Sequence, residues 1–327
     1  MLLKLTVILM LELFLSSGLD LIITWLVVTV IASFLAAIIY PLFKKLVRLN
    51  GSQTQPSTLF VYGILPPLAA VLVVVMLAHP DLSSRLVPEH CHPDTCAPHL
   101  PEIVFSSEVG LTLVTLSLLT LLAIILLVKF SLSKSNRLLQ MLNRLSENSP
   151  DINYRVIDSP EMLAWCAGIW QPNIYLSRGL VEALTRQQLQ VVVVHELIHI
   201  ARRDNLKKFM LRYTTLFWLP KLRASFLSDF SEHTEQACEY ITATKFNDPA
   251  LVAKVMQRVC EKADNHGSKT AGFFEEKKLA INHMSLSSNH EVARINLWSW
   301  LFVVTFWMLQ IILLTGITHL GFEWATG

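Results

Sequence analysis

Two histidines four residues apart, with a glutamate directly after the first, are the residues of this chain best suited to chemistry. They are His195, Glu196 and His199, in the pattern His-Glu-x-x-His. Side chains four residues apart lie on one face of a helix, so both imidazoles can bind a single zinc ion, Zn²⁺. Zinc lowers the pKa of a bound water toward neutrality, and Glu196 can accept the proton as that water attacks a peptide carbonyl. The pattern therefore predicts the chemistry of a zinc-dependent endopeptidase.

The residues around the motif argue against a chance match on a surface helix. Val191–Val194 precede the first histidine and Ile200 follows the second, so the helix is apolar on nearly every face and should be buried. Burying two histidines and a glutamate without partners is costly, and a bound metal removes that cost. Thr185 and Gln188 match a capping box, which predicts where this helix begins.

A third protein ligand is expected, because catalytic zinc usually takes three and leaves one position for water. The metzincin pattern needs Gly at position 202 and His at 205, but the chain has Arg202 and Asn205, which excludes that class. A glutamate from a later helix is the alternative. Glu235 and Glu239 offer two carboxylates on one helix face, and His233 is a competing ligand. Glu239 could instead orient a ligand histidine from behind.

Two charged residues follow the motif directly, Arg203 and Asp204. Each has the option of hydrogen bonding or ion pairing behind a metal ligand, which orients the ligand's ring. An exposed ion pair on a solvated helix face is the alternative for both residues.

The composition indicates an integral membrane protein. Of 327 residues, 53% are hydrophobic and only 16% are charged, against roughly 25% charged in soluble domains. Four apolar runs reach the roughly 20 residues that cross a bilayer, at about 21–42, 59–78, 109–128 and 297–320. Residues 1–17 are apolar but short, and a separate membrane segment there is left open. A net charge of +2 gives no sign of direct nucleic-acid binding, so the lipid bilayer is the expected partner.

The distribution of charge predicts the orientation of these spans. The loop after the first span has Lys44, Lys45 and Arg48 and no acid, whereas the loop at 80–107 has more acids than bases. The positive-inside rule places the first loop in the cytoplasm and the second outside. We therefore expect a multi-pass protein of the bacterial inner membrane whose catalytic domain is cytoplasmic.

Three regions follow from this layout. An N-terminal membrane region occupies residues 1–130, with a periplasmic loop at 80–107. The catalytic domain occupies residues 131–295, and a last span with a short tail occupies 296–327.

The catalytic region contains signals for both strands and helices. Short strand-like runs lie at 153–157, 162–167 and 173–177, separated by proline and glycine. Further helices are predicted at 231–246 and directly after Asp248, which is followed by a proline at the first helical position.

The periplasmic loop contains Cys91 and Cys96, with His90 and His92 beside them. A disulfide between the two cysteines is favoured, because the compartment outside the inner membrane is oxidising. A site that senses copper or zinc is the alternative.

Several motifs occur together, in order and at suitable spacing. They are Gly168, the run Gln171–Leu176, the run HELIHIARRD that begins at His195, and EQACE, which begins at Glu235. With the four spans, they resemble the cytoplasmic metalloprotease domain of BlaR/MecR-type antirepressor membrane proteins. The resemblance implies an α+β gluzincin-type fold. Its zinc would be bound by His195, His199 and Glu235, with Glu196 as the base.

The resemblance also implies how substrate is bound and what it is. Residues Asn173, Ile174, Tyr175 and Leu176 would belong to an edge strand to which an extended substrate adds. The substrate would be a transcriptional repressor, or the chain itself within the connecting segment 266–289, which makes the protein a signal-transducing protease. The β-lactam sensors carry a penicillin-binding domain after the last span. Only seven residues follow Leu320, so we expect no such domain.

Two other functions stay open. One is general quality control of membrane proteins by an HtpX-like protease, since those enzymes also combine His-Glu-x-x-His with a later helix bearing two acids. The other is a metal or redox sensor that uses the Cys91/Cys96 loop. The oligomeric state is left open.

Overall fold

The computed structural model describes residues 2–47, 55–79, 108–149, 154–264 and 297–326. Four helices in these ranges are long and apolar enough to cross a membrane, as the sequence predicts. They are α1 (Leu2–Val47), α2 (Gln55–Ala78), α3 (Glu108–Leu145) and α9 (Leu297–Thr326). Residues 2–17 continue the first span as one helix.

Three of the four membrane helices form a bundle. Buried side chains of α1, α2 and α9 pack together, among them Val28, Val73 and Leu314. Polar groups also join them: the Tyr62 hydroxyl donates to the Ala36 carbonyl at 2.8 Å, and Gln310 Nε2 donates to the Ala32 carbonyl at 3.2 Å. Such bonds are favourable in a lipid environment, where water cannot replace them.

The third span packs differently. Only Gly110, Val114 and Ser117 are buried along α3, so most of its apolar surface is left for lipid. The helix continues without a break to Leu145. The expected boundary at residue 130 therefore lies inside a helix.

A four-stranded sheet follows α3. Its strands are β1 (Ser146–Asn148), β2 (Arg155–Ile157), β3 (Ala164–Ala167) and β4 (Asn173–Ser177). The spatial order is β1-β2-β4-β3, with β2 and β4 parallel and the other two pairs antiparallel. Strand β1 was not predicted from the sequence, because its three residues are all polar and show no alternation.

The edge-strand prediction for Asn173, Ile174, Tyr175 and Leu176 is wrong. Their strand, β4, pairs with β2 on one side and with β3 on the other, so it is internal. All of its residues except the first are buried, which is typical of a strand covered by neighbours. In the sheet that the described residues form, β3 is the outermost strand on this side.

The helices after the sheet are α4 (Arg178–Ala183), α5 (Arg186–Ala201), α6 (Asp204–Thr214), α7 (Pro220–Phe246) and α8 (Pro249–Asp264). The predicted capping box is present at the start of α5, where Thr185 and Gln188 bond each other's backbone N–H. Helix α7 ends at Phe246 as predicted but begins eleven residues earlier. Asp248 caps α8 by accepting from Leu251 N at 2.9 Å.

Two separate cores hold these helices. The first joins the sheet to α5 and α8, with Leu176, Val192 and Val255 among its buried residues. The second joins the hairpin formed by α6 and α7 to the membrane bundle, so the region after the sheet packs directly against the membrane helices.

The centre of this second core is a cluster of aromatic rings that we call the aromatic contact: Tyr40 and Tyr62 from the spans, Trp218 and Phe226 from the hairpin. The rings of Tyr40 and Phe226 are 5.1 Å apart, and those of Tyr62 and Trp218 are 6.0 Å apart, both edge to face. Gly63 makes room for the hairpin, because a Cβ there would overlap Leu211 and Phe226.

Candidate metal centre

The two motif histidines lie on α5, and Glu235 reaches them from α7, which crosses beside it. His195 Nε2 and His199 Nε2 are 3.2 Å apart. The Glu235 Oε2 atom is 3.2 Å from His199 Nε2 and 3.5 Å from His195 Nε2. All three side chains are buried. The structure thus brings Glu235 to two histidines that lie at least 36 residues earlier in the sequence.

The donor set fits a metal ion. Ligand atoms 2.0–2.1 Å from a tetrahedral zinc lie about 3.3 Å from one another, which matches the three separations. Two imidazole nitrogens and one carboxylate oxygen are also a ligand set that catalytic zinc uses. Without a cation or a proton between them, these facing lone pairs would repel one another in a site that excludes water.

The electrostatics of the site favour opposite charges on its two halves. Burial disfavours the charged form of His199, but Glu235 and Asp204 outweigh it and raise the pKa of the imidazole well above its usual value. Burial also disfavours the charged form of Glu235, which by itself would raise the pKa of the carboxyl. His199 and His195 outweigh this effect and hold that pKa well below its usual range. Lys208 adds to this effect, with its Nζ 3.9 Å from Glu235 Oε1. A buried carboxylate kept ionised is a strong ligand for a cation.

Asp204 holds the ring of His199 from behind. Its Oδ2 is 3.0 Å from His199 Nδ1, and the carboxylate is buried. Were Nε2 to bind a metal, the remaining ring proton would lie on Nδ1, which would donate to Asp204. Arg202 Nε lies 3.5 Å from the same oxygen, and Lys207 Nζ lies 3.7 Å from the other. Asp204 is therefore buried between the His199 ring and two basic side chains.

A further side chain contacts the ligand His199, that of Cys238, which was not predicted as a site residue from the sequence. Its Sγ is 3.4 Å from His199 Nδ1 and 3.6 Å from Asp204 Oδ2. Burial raises the pKa of this thiol. The signal was present in the sequence, since Cys238 lies three residues after Glu235 and therefore on the same face of α7.

The remaining predicted site residues take different positions. Glu196 is buried on α5 beside His195, and Glu239 is buried on α7 one turn beyond Glu235. His233 is not in the donor group of the described residues; its Nδ1 lies 3.2 Å from Gln236 Oε1. Arg203 is exposed at the turn before α6 with φ of 55°, and its neighbour Arg202 is the one that contacts Asp204.

Some predictions concern residues that the structure does not describe. Cys91, Cys96 and the connecting segment 266–289 lie outside the described ranges. Cys166 and Cys238, which the structure does describe, are buried free thiols.

Comparison with known proteins gives one match. The model of Peptidase family M48 matches residues 133–292. Comparisons with curated proteins and with solved structures found no match. The family match supports a zinc metallopeptidase family for this region, though not the antirepressor subtype. Together with the buried His/His/Glu group and the four apolar helices, it indicates a membrane-associated metalloprotease.

Proposed function

We propose that the chain is a gluzincin-type zinc endopeptidase that hydrolyses peptide bonds at the cytoplasmic face of a bacterial inner membrane. The observation that carries this proposal is the convergence of His195, His199 and Glu235 within 3.5 Å in a buried site. Glu196 lies beside them on α5.

Each residue of the site has a distinct role in the proposed hydrolysis. When bound, zinc supplies a Lewis acid that makes water acidic and polarises the peptide carbonyl. Glu196 accepts the proton of the attacking water and passes it to the leaving amine. Asp204 keeps the ring of His199 in the orientation and tautomer that ligation needs.

The cytoplasmic orientation is supported by an ion pair between the spans and α7. Lys44 Nζ, at the basic end of α1, lies 2.7 Å from Asp229 Oδ1. The candidate centre therefore lies at the same end of α1 as Lys44 and Lys45. The positive-inside rule assigns that end to the cytoplasm.

The distance from the membrane bears on the substrate. Glu235 follows Asp229 by six residues, or about 9 Å along α7. A centre this close to the end of a span favours a substrate at the membrane surface. Quality control of membrane proteins is therefore a second candidate, beside the repressor or the connecting segment 266–289 that the resemblance implies.

Metal analysis and hydrolysis of a casein substrate by the purified full chain test the proposal. We expect about one zinc per chain in the wild type and in Glu196→Gln, with hydrolysis only in the wild type. The double variant His195→Ala, His199→Ala should lose the bound zinc and the hydrolysis. Glu182→Gln, which alters an exposed glutamate, should keep the zinc and the hydrolysis. A folded wild type that takes up no supplied metal, or a Glu196→Gln variant as active as wild type, would overturn the proposal.

Comparing new protein N-termini in cells that express wild type or Glu196→Gln separates the substrates. A single cleaved repressor supports the antirepressor function, many membrane proteins support quality control, and a cut within 266–289 supports self-cleavage.

A further inference from the structure

A cleft of about 500 Å³ lies beside the ligand His199. One wall is the connection between β3 and β4, residues 168–172, and the other is the turn between α5 and α6. His199 and Asp204 belong to its lining, so the cleft adjoins the candidate centre. Its volume lies within the range of roughly 300–1,000 Å³ that is typical of sites for small ligands and side chains.

Much of the cleft lining is apolar. Ile169, Trp170 and Pro172 line it from the connection, and Ile200 and Leu206 line it from the two helices. The indole of Trp170 is 72% exposed, which is unusual for so large an apolar side chain. An apolar group placed against this ring would remove apolar surface on both partners from water, which favours binding.

The wall that carries Trp170 is held in place relative to the metal ligand. Asn205 Nδ2 donates to the carbonyls of Cys166, at 3.2 Å, and Gly168, at 3.1 Å. Asn205 directly follows Asp204, which orients His199. Gly168 has φ of 119°, which a residue with a side chain rarely adopts. The connection is therefore a fixed wall and not a loose loop.

We propose that this cleft receives one large apolar side chain of the peptide substrate, and that Trp170 is a specificity-determining residue. The proposal rests on the endopeptidase function above and names the substrate class of the same site. The lining includes His199 but not His195, Glu196 or Glu235, so the side chain that the cleft receives belongs to a substrate residue near the cleaved bond. One methylene more or less on the side chain in a hydrophobic pocket changes kcat/KM by about 10–200-fold.

The test is a profile of cleavage sites in a mixed peptide library digested by the zinc-loaded full chain in detergent micelles. Mass spectrometry of the products gives the preference at each position on both sides of the cut. For the wild type we expect Leu, Phe or Met at one fixed position, favoured over Ala and Asp by about tenfold or more in kcat/KM. In Trp170→Ala this preference should fall by about tenfold with the other positions unchanged, and Trp170→Phe should keep most of it.

Trp165 provides the matched control, because it lies on the neighbouring strand β3 and stacks on Tyr175 with ring centroids 5.9 Å apart. Trp165→Ala should leave the profile unchanged. A second measurement does not depend on turnover: calorimetry of uncut peptides binding to Glu196→Gln. Adding Trp170→Ala should weaken the binding of a peptide with leucine at the preferred position by about tenfold. The binding of the same peptide with alanine there should weaken by much less.

The outcomes separate the two proposals. A wild type that cleaves without preference at any position, that prefers a charged residue, or that keeps its profile in Trp170→Ala overturns the apolar pocket and leaves the endopeptidase intact. Equal loss of preference in both tryptophan variants also overturns it. Failure of the wild type to cleave any peptide overturns the endopeptidase function itself, and the pocket with it.

Discussion

The candidate metal centre and the aromatic contact are both buried, and both depend on α7, but they are built in opposite ways. The centre takes two ligands from one turn of α5 and the third from a residue 36 positions later. The aromatic contact draws its four rings from three separate parts of the chain, α1, α2 and the α6–α7 hairpin. The first is a short motif completed by one distant residue, and the second has no motif at all.

Helix α7 joins the two regions. At its start Phe226 and Phe230 pack against the membrane helices, and Asp229 accepts from the Tyr40 hydroxyl at 2.5 Å. Further along, Glu235 and Cys238 contact His199. Local spacing thus provides the chemistry, while dispersed apolar and polar contacts decide where that chemistry lies relative to the membrane.

The largest expected effect separates Glu235 from its competitor as third ligand. In Glu235→Ala we expect zinc content close to zero and no detectable hydrolysis, because two histidines alone leave the site incomplete. Glu232→Ala, one turn earlier on α7, should retain its metal. Elemental analysis of the folded proteins measures both. Loss of metal from His233→Ala, with Glu235→Ala unaffected, would reverse the ligand assignment.

The next effect concerns Asp204. Removing its hydrogen bond to His199 in Asp204→Ala should weaken zinc binding by about 10–100-fold, as is found for residues that orient metal ligands. Competition with a chelator of known affinity measures this change. Arg203→Ala should change little, since Arg203 is exposed. Equal losses of zinc affinity in the two variants would show that the hydrogen bond from His199 to Asp204 does not strengthen zinc binding.

On the other side of the comparison, Gly63→Ala should destabilise the aromatic contact by about 1–3 kcal/mol through overpacking against Leu211 and Phe226. The expected result is lower thermal stability in detergent, with the metal still bound at low temperature. Gly316→Ala is the matched control, because a Cβ there meets no atom within 4 Å in the part of α9 that the structure describes. A Gly63→Ala protein as stable as the control would show that the hairpin does not pack tightly against α2.

The smallest effect is expected at the ion pair between Lys44 and Asp229. Asp229→Asn keeps the shape and one acceptor oxygen but removes the charge, and should cost about 0.5–1.5 kcal/mol of stability, which is the net contribution of a typical hydrogen bond. Asp158→Asn alters an exposed pair with Arg178 and should cost close to nothing. Thermal unfolding compares the two, and equal costs would contradict a special role for the Lys44 pair.

How much the sequence predicts depends on how far apart the interacting residues lie. Thr185 and Gln188 are three residues apart, and the two motif histidines are four apart, so helix geometry alone relates them. The four spans follow from the length of apolar runs. The residue pattern alone reduced the third ligand to three candidates, Glu235, Glu239 and His233, and the family resemblance favoured Glu235, but neither shows which side chain faces the histidines.

The order of the strands in the sheet is the feature that the sequence predicted least well. The run Asn173–Ser177 was correctly predicted as a strand, yet its place in the sheet was not. That place depends on the parallel pairing of Arg155 with Tyr175, 20 residues apart, and on the antiparallel pairing of Ala167 with Asn173. Strand pairing of this kind is not contained in the alternation of any one strand.

By itself, the sequence determined the membrane character, the His-Glu-x-x-His helix with its cap, and the short strand segments, because neighbours along the chain decide these features. Only the tertiary structure brought Glu235 against the two histidines, placed β3 outside β4, and packed the α6–α7 hairpin against the membrane helices. Each of those outcomes is a contact between distant segments, and its free energy depends on how whole elements pack together.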